Sequence, residues 1–135
     1  MSKIYSNLQK KNSNLIRYKL IYELGINPSK NERLIYSSIS NWEFECSKKF
    51  IKKTEDWLIK LKSANKEKNF FKKDIFNEML SVKWHIVCKH ATGLGLWTWK
   101  TFHNSPLRNY KVVDMIERSK FFIKCLIKRK ALNND

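Results

Sequence analysis

The chain has 135 residues, of which 42% are hydrophobic and 13% aromatic, and its formal net charge is +16. This length fits a single domain of residues 1–135, and the aromatic content excludes a disordered chain. No apolar run approaches the ~20 residues that span a bilayer, which excludes a transmembrane segment. The charge favours polyanionic partners such as nucleic acid or an acidic surface.

Two interpretations stay open for residues 1–22. The segment has five basic residues and no acid before Glu23, a composition that organelle targeting segments share. Alternatively it is the first helix, because Leu8, Leu15 and Tyr18 fall on one helical face. Gly25 then lies where a left-handed residue would end that helix.

A second helix is predicted after Pro28, because Ser29 and Glu32 have the spacing of a capping box. Its apolar stripe extends to Leu61, which predicts one long helix over 30–62. The stripe is interrupted around Lys53 and Thr54, so the helix is expected to be bent or broken there. A polar linker, SANKEKN, follows at 63–69. The apolar residues between Ile75 and Cys88 predict a third helix over about 71–90.

Gly93 and Gly95 end that helix, and a short helical or irregular segment is expected at 96–102. Ser105 as cap and Pro106 at the first position predict that the last helix starts there and ends near Ala131. No sustained period-two alternation indicates a strand. The predicted fold is therefore all-α, an irregular bundle of four main helices and a short connecting helix. The predicted core face of the last helix comprises Val112, Val113, Ile116, Ile123, Leu126 and Ile127.

The residue patterns of enzymes and metal sites are weak here. The glycines follow a helix and lack the phosphate-binding spacing, and the acids are scattered, so we expect no catalytic residues and no enzymatic activity. His85 and Cys88 lie one helical turn apart, but His90 points away from Cys88 on an ideal helix, and no zinc spacing is present. We expect neither a metal nor another cofactor.

Cationic and aromatic residues give the nucleic-acid hypothesis its candidate site. On the last helix, Lys120, Lys124 and Lys128 recur every four residues, with Arg129 and Lys130 beside them, and such a strip suits phosphate contacts. Lys100 and Arg108 add charge near Trp97 and Trp99, whose rings suit base stacking. Because these tryptophans are two apart, we expect one ring in the core and the other near the surface.

The sequence thus predicts a non-enzymatic nucleic-acid-binding protein, RNA being favoured over DNA, within a ribonucleoprotein particle such as an organellar ribosome. Protein partners in a larger assembly are compatible with this function. The alternative is a helical protein-interaction or scaffold module whose lysines reflect codon bias. Three cysteines without a disulfide framework predict an intracellular, reducing compartment, with a mitochondrion or other organelle left open.

Overall fold

The computed structural model describes residues 21–109 and 113–133, with side chains described as far as Ile127. The all-α prediction is confirmed: these residues form helices and turns, and none of them lies in a strand. The predictions for residues 1–20, including Leu8, Leu15 and Tyr18, and for Val112 lie outside this part of the chain. The helices are α1 Lys30–Ser40, α2 Lys48–Lys68, α3 Lys73–Lys89, α4 Leu96–Asn104 and α5 Met115–Asn133, with a 3-10 turn at Thr92–Leu94.

Two local predictions near the start of this region are confirmed. Residues 21–23 are helical, and Gly25 follows with a φ of 79°, the left-handed conformation expected at a helix end. At the start of α1, the Ser29 hydroxyl accepts the Glu32 N–H at 3.2 Å while the Glu32 carboxylate accepts the Ser29 N–H at 2.9 Å. This capping box satisfies two backbone donors that would otherwise lack helical partners.

The single long helix predicted over 30–62 is wrong, because the chain forms α1 and α2 with a connector at 41–47. The break does not lie at Lys53 and Thr54, since both are within α2 and Thr54 is fully buried. Trp42 has a φ of 59°, which ends the right-handed helix, and the Ser47 hydroxyl accepts the Phe50 N–H at 3.1 Å to begin the next one. The helical period of apolar residues continues across the connector, so it could not reveal this break.

The predicted linker at 63–69 is also wrong, because α2 continues to Lys68. Asn65 lies on its buried side, where the Asn65 amide donates to the Phe71 carbonyl at 3.1 Å and accepts the Phe71 N–H at 2.8 Å. A buried amide is tolerated when its hydrogen bonds are made, so this polar stretch remains helical. Asn69, with a φ of 55°, ends the helix and leads into α3.

The last helix starts later than Ser105 and Pro106 predict. Ser105 is extended, and its hydroxyl accepts the Leu107 N–H at 3.2 Å, so it supports a turn rather than a helix start. The Asp114 carboxylate instead accepts the Glu117 N–H at 2.9 Å at the beginning of α5. The helix ends at Asn133, close to the predicted Ala131.

The predicted core face of the last helix is wrong for most of its residues. Val113 is buried as expected, but α5 places Phe121 and Cys125 in the core. The Phe121 ring packs 5.1 Å from the Phe102 ring and 5.9 Å from the Trp99 ring, a contact area that an isoleucine could not match. The predicted core residues that are exposed instead are Ile116, Ile123, Leu126 and Ile127.

The glycine-containing elbow between α3 and α4 is a packing junction. Thr98 is fully buried, and its hydroxyl donates to the Ala91 carbonyl at 2.7 Å across the 3-10 turn. Trp84 of α3 is also fully buried, and its indole N–H donates to the Phe102 carbonyl at 3.4 Å. These bonds hold α4 against α3, and this arrangement fixes the surface on which α5 packs.

Candidate nucleic-acid interface

Three lysines meet where the end of α3 lies beside α5. Lys89, Lys120 and Lys124 are exposed and line a cavity of about 150 Å³. We call this cavity the basic groove; its remaining lining residues are His85, Glu117 and Phe121. The spacing of four residues places Lys120 and Lys124 on one side of α5, and α3 supplies Lys89 from across the groove.

His85 forms the half-buried wall of the basic groove. Its ring lies 5.6 Å from the Phe102 ring and 6.0 Å from the Phe121 ring, and its Nε2 has no hydrogen-bond partner among the residues described. Burial, with a further contribution from the positive charge of Lys89, lowers the pKa of His85 below its ordinary value. The imidazole is therefore mainly neutral at pH 7, and the lysines supply the positive charge of the groove.

An open cleft of about 730 Å³ adjoins the basic groove and shares Lys89 and Lys124 with it. We call it the Trp42 cleft, because Trp42 projects into it from the 41–47 connector and is 63% exposed. The Phe44 ring lies 5.8 Å from the Trp42 ring and 4.8 Å from the His90 ring. The Trp42 cleft is also lined by Ile86, His90 and Thr92.

The predicted cationic residues separate into three groups. Lys120 and Lys124 lie together in the basic groove. Lys128, Arg129 and Lys130 continue α5, but their side chains lie beyond the described part of the chain. Lys100 is exposed on α4, and Arg108 donates to the His103 carbonyl at 3.1 Å; neither lines the groove or the cleft.

Both predicted stacking residues are committed to intramolecular contacts. Trp99 is half-buried, with its ring 5.2 Å from the Phe122 ring and stacked on the His103 ring at 5.4 Å. Trp97 is half-buried as well, and the Lys48 ammonium lies 5.5 Å from its ring centre. The expected division into one core ring and one surface ring is therefore wrong, and neither ring lines the Trp42 cleft.

Sequence reasoning missed Trp42, Lys89 and His90. Trp42 has the spacing of an apolar residue on a continuous helix, so the pattern assigned it to a core face. No glycine or proline marks the connector at 41–47, and a left-handed tryptophan has no sequence signature. Lys89 gains its significance only from Lys120 and Lys124, which are distant in sequence.

The cysteine and histidine residues form no cluster of three or more metal-ligand side chains within the described ranges. Cys88 and Cys125 are fully buried, and burial raises the pKa of both thiols, that of Cys125 to about 11. Neither thiol is therefore prepared to act as a thiolate ligand or nucleophile at neutral pH.

None of the helices in the described regions is long and apolar enough to cross a membrane. No family model matches the chain, and neither do the curated proteins or the solved structures compared with it.

Proposed function

We propose that the protein binds RNA without catalysing a reaction, as a structural component of a ribonucleoprotein particle. The observation that carries the proposal is the convergence of Lys89, Lys120 and Lys124 on one groove. Lysine side chains grouped in this way neutralise neighbouring phosphates and release their counterions. The net charge of +16 adds a long-range attraction that accelerates association with a polyanion.

The charge balance within the groove favours an anion. Glu117 is the acidic residue that lines it, and its carboxylate lies 4.0 Å from the Lys120 ammonium. Lys89 and Lys124 form no salt bridge with any residue in the described part of the chain, so both ammonium groups are available to a ligand. A phosphodiester backbone would place one phosphate near each of them.

The first test measures RNA binding by fluorescence anisotropy across a salt series. The variant K89Q/K120Q/K124Q removes the three groove charges, and K66Q/K72Q/K73Q removes three exposed lysines in the last turn of α2 and at the start of α3. Lys73 lies about 24 Å from Lys89 along the axis of α3. We expect the groove variant to reduce the slope of log K against log salt by about 2 for a single strand. The control variant should retain most of the wild-type slope.

Three results would contradict this proposal. The first is that the wild-type protein binds no RNA at low salt, which would exclude an RNA-binding function. Equal losses in the two triple variants would mean that the total charge, and not the groove, governs binding. Tighter binding to duplex DNA than to RNA would identify a different nucleic-acid partner.

A second function is favoured by one specific observation, an exposed apolar face on α5. We define this outer face by the residues Met115, Ile116, Ile123, Leu126 and Ile127, each of which is exposed. Contiguous exposed apolar residues on a helix are typical of protein interaction sites. Since Lys120 and Lys124 border this face on the helix and a net charge of +16 opposes self-association, we propose an acidic amphipathic helix of another protein as its occupant.

A synthetic helical peptide tests this second function. Its sequence would combine a leucine stripe with flanking glutamates, and its control would carry lysines in place of the glutamates. We expect the acidic peptide to bind, and the substitution I123D in the outer face to abolish that binding while RNA binding persists. Equal affinity for both peptides, or binding that I123D leaves unchanged, would refute an interaction through the outer face.

A further inference from the structure

The conformation of Trp42 is unusual for a bulky residue. Its φ of 59° lies in the left-handed region, and its side chain is 63% exposed. Backbone hydrogen bonds on both sides fix this conformation: the Trp42 N–H donates to the Ile39 carbonyl at 3.3 Å and the Glu43 N–H to the Ser38 carbonyl at 2.8 Å. These two bonds form a Schellman motif, in which a left-handed residue follows the helix end, so the turn that ends α1 also holds the indole in its exposed position.

The surroundings of the Trp42 ring combine aromatic and cationic groups. The Phe44 ring contacts both the Trp42 ring and the His90 ring. Lys89 and Lys124 line the same cleft and are shared with the basic groove. The cleft volume of about 730 Å³ is in the range of small-molecule sites.

We infer that Trp42 is the stacking platform for one unpaired base of the RNA, and that the protein therefore prefers a single strand or loop to a duplex. This inference rests on the proposed function. A base that stacks on the exposed indole has its flanking phosphates within reach of Lys89 and Lys124. A paired base cannot offer its face to the indole, because the neighbouring base pairs cover it.

The substitutions W42G and W42F separate stacking from folding. Glycine adopts a positive φ without strain, so W42G removes the ring while the connector keeps its conformation. W42F retains a smaller ring, and F70A removes another exposed aromatic residue, in the turn between α2 and α3, as a control. Circular dichroism and thermal unfolding would establish that each variant folds.

The measurement compares a single-stranded RNA of about 12 nucleotides with a blunt-ended RNA duplex of equal charge. We expect W42G to weaken single-strand binding about tenfold, W42F to weaken it less and F70A to leave it within about twofold, since one base–aromatic stack has that order of magnitude. Duplex binding should change little in W42G. The salt dependence should also persist in W42G, because the lysines remain.

Crosslinking with 5-iodouridine in the same single strand gives an independent readout, because it joins the RNA to a stacked ring. We expect the crosslinked peptide to contain Trp42. A crosslink only at other residues, or a W42G affinity equal to that of the wild type, overturns the inference and leaves RNA binding intact. Absence of RNA binding by the wild type overturns the proposed function itself. This outcome is also the one expected if Trp42 contacts only a protein partner.

Discussion

Lys89 at the end of α3 and Lys124 within α5 line both the basic groove and the Trp42 cleft. The two lysines are far apart in sequence, and the packing of Phe121 against the α3–α4 junction brings their helices together. They connect a surface suited to phosphates with one suited to an aromatic base. Loss of either lysine should therefore affect both surfaces.

The pKa of His85 should lie below its ordinary value of 6.5, because burial and the positive charge of Lys89 disfavour the charged imidazole. Its pKa can be followed by the NMR shift of its ring protons. RNA phosphates in the basic groove would oppose the charge of Lys89, so we expect the pKa of His85 to rise on binding. A pKa that RNA leaves unchanged would place the phosphates elsewhere.

The same histidine makes the free energy of unfolding depend on pH. Since its pKa is lower in the folded protein, the unfolded chain binds more protons as the pH falls through 6.5, and folding stability decreases. The decrease should end once the pH is below the folded pKa. Urea unfolding at several pH values would measure it, and H85Q should reduce the dependence; an identical dependence in H85Q would assign it to other groups.

The two faces of α5 should differ in their contribution to stability. Phe121 is buried among aromatic rings, so F121A should lower the free energy of unfolding by about 3–5 kcal/mol. Ile123 is 52% exposed, so I123A should cost less than about 1 kcal/mol. Denaturant unfolding of both variants checks this difference. Similar losses would mean that the outer face is covered in the folded protein.

The capping box at α1 should contribute measurably to stability. S29A removes the hydroxyl that accepts the Glu32 N–H, and we expect a loss of about 1 kcal/mol in thermal or denaturant unfolding. Ser63, an exposed residue within α2, provides a control in S63A, which should change stability by less than about 0.5 kcal/mol. Equal effects of the two substitutions would show that the hydroxyl bond adds nothing.

The three cysteines should react at different rates with a thiol reagent. Cys46 is exposed, whereas Cys88 and Cys125 are buried and have raised thiol pKa values. At mildly alkaline pH we expect one rapidly reacting thiol in the native protein and three after denaturation. C46S should remove the rapid phase, and a rapid phase that survives this substitution would reveal exposure of a buried cysteine.

Local interactions were readable from the sequence because neighbouring residues make them. The capping box of Ser29 and Glu32, the left-handed Gly25 and the helical spacing of α3 each depend on residues within a few positions. The net charge of +16, which motivates the nucleic-acid hypothesis, is likewise a property of composition. The all-α class follows from the same short-range patterns.

The tertiary structure decided which of the alternative faces and ends is used. The apolar residues of α5 define two faces, and only packing against Trp99 and Phe102 selects Phe121 for the core. The Asn65 side chain keeps a polar stretch helical through bonds to Phe71, which composition does not reveal. Trp42, Lys89 and Lys124 line one cleft only because of the conformation of the 41–47 connector and the packing of α3 against α5. The helical preferences of each segment are the same whether or not these distant residues come together, so the sequence pattern does not reveal the cleft.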